Sequence, residues 1–499
     1  MRAMTSRPSI LTLTELIAGV AGTRPPDHAV RPIAISRAVI DSRLAAPGCL
    51  FVALRGEHHD GHAFISEAIT KGAVAIIAER APGAGICDIL DTGIELPASG
   101  DWAVGTPLCL IVPDSLVALQ RAAAHWRRQH DVRVIGITGS VGKTTSKEVI
   151  ASVVCQRYHT LKSTGNYNNE IGLPLTLLHL TDAHERVVLE MGMYDLGEIA
   201  HLANIGLPQI GVVTNVGPTH LERLGTIERI AQAKAELPQA LPAASEGGVA
   251  ILNADDNWVS AMAGQTQARV FTYGLGSDAD LWADDIESEG LEGIRFRFHH
   301  GQDTVHAQVP MLGRHSVHTA LCAAAVGLVE ELSWGEIMAG LRDQTAQLRL
   351  MAVPGPKGST ILDDTYNASP ASCVAALNLL EELDGRKVAV LGDMYELGPY
   401  EQEGHEIVGR RARDVADVLI AVGPLGHIIG QEALRVGMAS RAVHLVETNA
   451  QAIDLLQTLI QTGDIVLIKG SRGMKMEEIV TALTHPEPTT RLRTGEDRS

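Results

Sequence analysis

The sequence predicts an α/β protein of three domains. These are an N-terminal α/β domain, a central P-loop-type ATPase domain with a mainly parallel sheet, and a C-terminal Rossmann-like doubly wound domain. Three observations predict this. The apolar run VRVIGIT, Val132 to Thr138, feeds directly into GSVGKTT, Gly139 to Thr145, and a helical segment, the strand–loop–helix order of a phosphate-binding unit. Aromatics are 3% of the chain, so the core must come from Ala, Val, Leu and Ile, as in parallel strands buried under helices. The alternation of strand-like and helix-like patterns breaks over residues 345–357 and then restarts.

In chain order, residues 1–112 alternate short apolar runs with loops rich in Gly, His and Pro. The runs are CLFVAL from Cys49, AVAIIAE from Ala73 and LCLIVP from Leu108. The stretch after Ile10 is broken by Thr12, Thr14 and Glu15, so it reads as an amphipathic helix rather than a signal peptide. The central domain spans 113–344. Asp114 or Ser115 can cap its first helix, in which Leu116, Leu119, Ala123 and Trp126 share one face. The runs VVLE ending at Glu190, QIGVVTN ending at Asn215 and GVAILN ending at Asn253 read as buried parallel strands with polar ends. Open α/β sheets bind ligands at those carboxyl ends. The C-terminal domain, 345–485, repeats the pattern in TILDD from Thr360, KVAVLGD from Lys387, VLIAVG from Val418 and DIVLIKG from Asp464. The segment 486–499 reads as a disordered tail.

Charge and composition narrow the function. Against 59 Asp and Glu stand 41 Lys and Arg, a net charge of −18, which disfavours nucleic acid and anionic membranes as partners. A phosphorylated small substrate remains compatible, because a few cations and helix N-termini act locally. Apolar residues at 45% exclude wholesale disorder. The six cysteines form no C-x-x-C pair and fit reduced thiols, and no apolar run approaches the ~20 residues of a membrane span. A cytoplasmic monomer without an integral membrane segment is expected.

The sharpest chemical signal is TGSVGKTT, Thr138 to Thr145. Gly139 and Gly142 let backbone N–H groups turn toward an anion, Lys143 supplies a point charge, and the Thr144 hydroxyl can reach Mg²⁺. Ile137 stands where the longer P-loop form carries Gly. TGNYNNEIG, Thr164 to Gly172, concentrates amide donors and acceptors suited to a sugar, peptide or nucleotide, and is equally readable as a turn. Glu190 and His220 close two strand regions beside the phosphate loop, where they read as metal ligands or as hydrogen-bonded loop residues. Lys234, by pattern alone, is a solvated lysine on an amphipathic helix. Asp255 and Asp256 suit either a ribose or a helix cap.

Together these residues resemble the Mur ligase family, ATP-dependent enzymes that lengthen the peptide of the bacterial cell-wall precursor. The resemblance covers nearly the whole chain. It rests on the phosphate loop, the Asn loop, Glu190, NVGPTH ending at His220, KAEL from Lys234, NADD from Asn253 and GRH from Gly313. Three C-terminal motifs are most similar to the members that add D-alanyl-D-alanine: DDTYNASP from Asp363, LGDMYELG from Leu391 and KGSRGMKME from Lys469. DSR from Asp41 and DGH from Asp60 resemble the part that holds the UDP end. The resemblance implies an ATP-dependent amide ligase that joins D-alanyl-D-alanine to UDP-N-acetylmuramoyl-tripeptide through an acyl phosphate.

It also implies roles. Thr138, Gly139, Ser140, Val141, Gly142, Lys143, Thr144, Thr145, Asn253, Arg349 and Asp364 would bind ATP. Thr144, Glu190, His220 and a carbamylated Lys234 would hold Mg²⁺, with Lys143, Glu190, His220 and Lys234 catalytic. Ser42 and Arg43 would contact the uridine diphosphate of the substrate, Asn166, Asn168 and Asn169 would line the muramoyl-peptide path, and Tyr366 and Asn367 would reach, with Asp364, the nucleotide or the incoming dipeptide. Thr319 stands where the family carries Asn near adenine, and Leu348 where it carries Gly before Arg349. Another amino-acid-adding or folate-polyglutamating ligase is the alternative, which LGDMYELG argues against. A P-loop switch would want a strand ending in Asp, whereas VVLE ends in Glu190.

Overall fold

A computed structural model of the chain describes residues 10–26, 30, 33–56, 59–83, 85–92, 106–343 and 350–485. Leu348, Arg349 and the tail 486–499, to which the sequence reading gave roles, lie outside the described residues. Three sheets carry the architecture. The N-terminal sheet is all parallel, in the spatial order Ala38–Val39, Leu50–Val52, Ala75–Ala78, Leu108–Ile111, Asp88–Asp91. Helix Leu13–Ala21 is buried on most of its surface and packs on helix Ser115–Arg128, where Glu15 Oε2 lies 2.9 Å from His125 Nε2. Asp114 Oδ1 accepts from Val117 N at 2.9 Å and caps that second helix. Its Trp126 indole donates to Leu180 O at 3.1 Å, so the helix also anchors the central domain.

The central sheet has nine strands. Its parallel part runs Leu281–Ser288, Arg269–Gly274, Val249–Asn253, Ile210–Val213, Arg133–Thr138, Arg186–Glu190, Thr160–Lys162. Val, Ile and Leu fill both faces under flanking helices, as expected of strands buried on two sides. Strand Arg133–Thr138 lies between Ile210–Val213 and Arg186–Glu190, so chain connections leave it in both directions. That switch point opens a crevice at the carboxyl ends, where the phosphate loop stands. Strands Ile294–His300 and Asp303–Val309 extend the sheet antiparallel at one edge, a meander the sequence reading did not place.

The C-terminal sheet runs Met351–Pro354, Thr360–Asp364, Ile465–Lys469, Lys387–Gly392, Val418–Val422, Val443–Val446. Only its first strand is antiparallel. Apolar clusters cover both faces, giving the doubly wound form. The register sets Asp364 beside Lys469 at the carboxyl end, facing the central domain across a cleft.

Candidate active site

The cleft has a volume of about 980 Å³ and is lined from both domains, by Lys143, Glu190 and His220 on one side and Asp364, Tyr366 and Glu396 on the other. At its floor the chain turns from strand Arg133–Thr138 into helix Lys143–Val154. A Cβ at Gly139 would lie 1.9 Å from Thr214 Oγ1, and Gly142 enters the helix at φ +84°, so both positions need glycine. The neighbouring strand end locks the loop. Asn215 O accepts from Ser140 N, Asn215 Oδ1 from Val141 N, and Val141 O from Asn215 Nδ2, each at 2.9 Å. Ser140 Oγ exchanges hydrogen bonds with the backbone of Gly217. The Lys143 ammonium folds over the loop and donates to Gly139 O at 2.7 Å. The N-terminus of a twelve-residue helix, a lysine and a backbone-locked loop together have the chemistry that suits a polyphosphate.

Thr144 Oγ1 donates to Glu190 Oε2 at 2.6 Å, and Asn168 Nδ2 donates to Glu190 Oε1 at 2.8 Å. Glu190 is buried, yet both oxygens are satisfied. The loop with three asparagines is thus joined to the phosphate loop through one carboxylate. Asn166, Asn168 and Asn169 all line the cleft, while Asn169 Oδ1 accepts from Gly172 N at 2.9 Å, so this residue also builds the turn. The turn reading holds, and the amides at the cleft leave the ligand reading open.

Lys234 corrects the surface reading that its sequence pattern alone suggested. It is 1% exposed, because helix Ile227–Gln239 turns Ile230, Ala233, Lys234 and Leu237 inward together. Among the described residues its ammonium has no carboxylate or hydrogen-bond acceptor. Burial, aided by the nearby Lys143 charge, pushes its pKa well below the ordinary lysine value. A neutral buried amine is the species that captures CO₂. Thr144 and Glu190 supply hard oxygen donors suited to Mg²⁺. Among the described residues no three His, Cys, Asp or Glu side chains cluster as a metal site, and Lys234 does not line the cleft that His220 faces. Thr144, Glu190 and His220 are chemically suited to Mg²⁺, and Lys234 would become so only as a carbamate.

Other expected residues lie where the sequence could not place them. Asn253 is buried and bridges two strand ends, donating to Thr214 O at 2.9 Å and accepting from Asp255 N at 3.0 Å. It does not line the cleft. Asp256 caps helix Asn257–Ser260, and Asp255 lies 2.8 Å from His318 Nε2. Ser42 and Arg43 lie in the short 3₁₀ turn Ser42–Leu44 of the N-terminal domain and do not line the cleft. Ser42 Oγ donates to Glu67 Oε2 at 2.7 Å, and Arg43 pairs with Asp41. Thr145 and Thr319 line the cleft, whereas Thr138 is buried below it.

On the C-terminal side, Lys469 Nζ donates to Asp364 Oδ2 at 2.7 Å and to Asn367 O at 2.8 Å, fixing the turn that presents Tyr366 and Asn367. The Arg472 guanidinium stands 5.4 Å from the Tyr366 ring centre. Buried Lys147 donates to Ser163 O at 2.8 Å and Gly165 O at 3.0 Å, tying the phosphate-loop helix to the Asn loop. Lys147, Lys469 and Glu396 were given no role by the sequence reading. Lys469 and Glu396 lie inside the C-terminal motifs, which was the available signal. Lys147 looks like any helical lysine.

With this geometry in place, the similarities to known proteins are direct. Residues 137–327 match the Mur ligase middle domain, 348–472 the Mur ligase glutamate ligase domain, and 35–90 the Mur ligase family catalytic domain. The UDP-N-acetylmuramoyl-tripeptide--D-alanyl-D-alanine ligase of Bacillus subtilis is 35% identical over 95% of this chain and 98% of its own. MurF from Acinetobacter baumannii superposes with a TM-score of 0.80 at 29% identity, over 96% of this chain and all of the other. MurF ligase from Thermotoga maritima in complex with ADP gives 0.73 at 28% identity, over 90% and 97%. This chain belongs to the Mur ligase family.

Proposed function

We propose that the chain joins D-alanyl-D-alanine to UDP-N-acetylmuramoyl-tripeptide using ATP, as a monomer in the cytoplasm. Its relatives of like length are so named, one of them holds ADP, and no described helix is long and apolar enough to cross a membrane. The observation that carries the reading is the shared cleft, in which the phosphate loop, the Asn loop and the C-terminal Asp364–Asn367 turn face one volume.

The chemistry follows from the substrates. A carboxylate does not acylate an amine at neutral pH, because its oxygen is a poor leaving group. In the first step a carboxylate oxygen of the tripeptide attacks the γ-phosphorus of ATP, forming an acyl phosphate and releasing ADP. Lys143 and the loop amides bear on the phosphoryl oxygens where charge develops. Mg²⁺ held by Thr144 and Glu190, with His220 and carbamylated Lys234 at a second position, would supply further charge neutralisation. In the second step the dipeptide amine attacks the acyl carbon, the C–O bond to phosphate breaks, and the amine loses a proton. Asn166, Asn168 and Asn169 would line the path of the muramoyl peptide, with Ser42 and Arg43 toward its uridine diphosphate. Asp364 would approach the nucleotide, and Tyr366 and Asn367 the dipeptide. Closure of the two-sided cleft would keep water from the acyl phosphate.

An isotope experiment tests this. With ¹⁸O in the terminal carboxylate of the precursor, one ¹⁸O should appear in the released inorganic phosphate. Unlabelled phosphate would refute the acyl phosphate.

A further inference from the structure

The C-terminal domain reaches across the cleft to touch a residue of the central domain that the sequence reading gave a metal role. Glu396 Oε2 lies 2.7 Å from His220 Nδ1. Both residues hold left-handed backbone, at φ 63° and 58°, a conformation that side chains other than glycine seldom adopt. The loop carrying Glu396 approaches helix Leu221–Leu224 closely at Gly398, where a Cβ would lie 2.8 Å from Glu222 Cα. On another side the Tyr194 ring meets the imidazole edge-to-face, with centroids 5.2 Å apart at 81°. The imidazole is therefore clamped between a carboxylate and an aromatic ring. Glu396 itself is half exposed, so as an isolated ion pair it would add little stability. Two strained backbones are not needed for that. At 2.7 Å the pair lies within hydrogen-bond reach, although the ring N–H is not aligned on the oxygen. A carboxylate accepts, so alignment would put the proton on Nδ1 and leave the lone pair to Nε2.

We propose that Glu396 is a positioning residue that fixes the tautomer and ring plane of His220 so that Nε2 serves as a divalent-cation donor, and that this cation site is complete only while the C-terminal domain is closed on the central one. The inference rests on the reading of His220 as a metal ligand. Its physical basis is general: histidines that bind metals donate their other ring N–H to a carboxylate or carbonyl, which sets orientation and raises basicity. Here that carboxylate comes from a different domain, so closure and cation binding are linked, each favouring the other to the same degree.

The test uses Mn²⁺ as the probe, with full-length protein, a non-hydrolysable ATP analogue and UDP-N-acetylmuramoyl-tripeptide present. Bound Mn²⁺ is titrated by electron paramagnetic resonance. His220→Ala and Glu396→Ala should each weaken protein-held Mn²⁺ by about 10–100-fold. The double variant should be no weaker than His220→Ala, and Glu396→Gln, whose amide oxygen still accepts, should recover much of the affinity. Melting curves of all variants should match the wild type. Wild-type affinity in Glu396→Ala, with His220→Ala weakened, overturns this proposal alone. Additive losses in the double variant overturn it as well. Wild-type affinity in His220→Ala overturns the metal reading of His220 and this proposal with it.

Discussion

Thr144 and Glu190 are joined by a 2.6 Å hydrogen bond, Oγ1 donating to Oε2, which ties the first turn of the phosphate-loop helix to the end of the neighbouring strand. Glu190→Gln keeps the shape and the acceptor for Thr144 but removes the anionic oxygen. Calorimetric ADP binding with Mg²⁺ should weaken at least tenfold, and binding without Mg²⁺ should change little. Equal loss in both conditions would show that Glu190 only shapes the loop.

Lys143 lies across the mouth of the loop, its ammonium on Gly139 O. One charged contact on a transferred phosphoryl group in a dry site is worth about 3–4 kcal/mol. Lys143→Ala should therefore lose at least two orders of magnitude in turnover with an unchanged circular dichroism spectrum. Turnover near wild type would remove the ATP-site assignment.

Lys234 is buried without an anionic partner among the described residues, and its amine is shifted toward the neutral form. Carbamylation follows as an expectation, measurable as a ¹³C carbamate signal after ¹³CO₂ exposure. Lys234→Ala should be nearly inactive and partly rescued by short carboxylates. Lys234→Arg should remain inactive, because it keeps the charge and cannot capture CO₂. An active arginine variant would reduce Lys234 to a packing residue.

The phosphate loop was legible because its requirement is local: two glycines, a lysine and a threonine at fixed spacing after an apolar run. The parallel sheets were legible for a similar reason, since strands buried on both faces read as unbroken Val, Ile and Leu. The antiparallel edge, Leu281–Val309, escaped notice because its exposed face carries Asp284, Arg295 and Arg297 in alternation with the core residues. The burial of Lys234 was hidden for a different reason. A helix with one lysine on its inward face has the same sequence pattern as one with that lysine at the rim, and only packing under the phosphate loop decides. The hydrogen bond by which the Asn253 amide joins two strand ends is not legible in NADD either, because its partner Thr214 lies 39 residues away. The contact between Glu396 and His220 spans 176 residues and two domains, so no local pattern encodes it.

Acid sensitivity should be traceable to Glu432. Its side chain is 3% exposed and pairs with Arg435 and Arg410, which hold its carboxyl down to about 2 from an ordinary 4.5. A depressed carboxyl pKa stabilises the fold above the ordinary value, and that contribution is lost as pH falls toward the folded one. Glu432→Gln should lower the melting temperature at pH 7 and flatten its fall between about pH 4.5 and 2. An unchanged slope would mean that the two arginines are satisfied elsewhere.

The substrate pair is the central claim, and phosphate release measures it most directly. With ATP, Mg²⁺ and UDP-N-acetylmuramoyl-tripeptide supplied, release should depend on D-alanyl-D-alanine and yield the pentapeptide product in equal amount by mass spectrometry. Equal rates with D-glutamate or meso-diaminopimelate would contradict the dipeptide assignment, and steady release with no peptide substrate would contradict a ligase altogether.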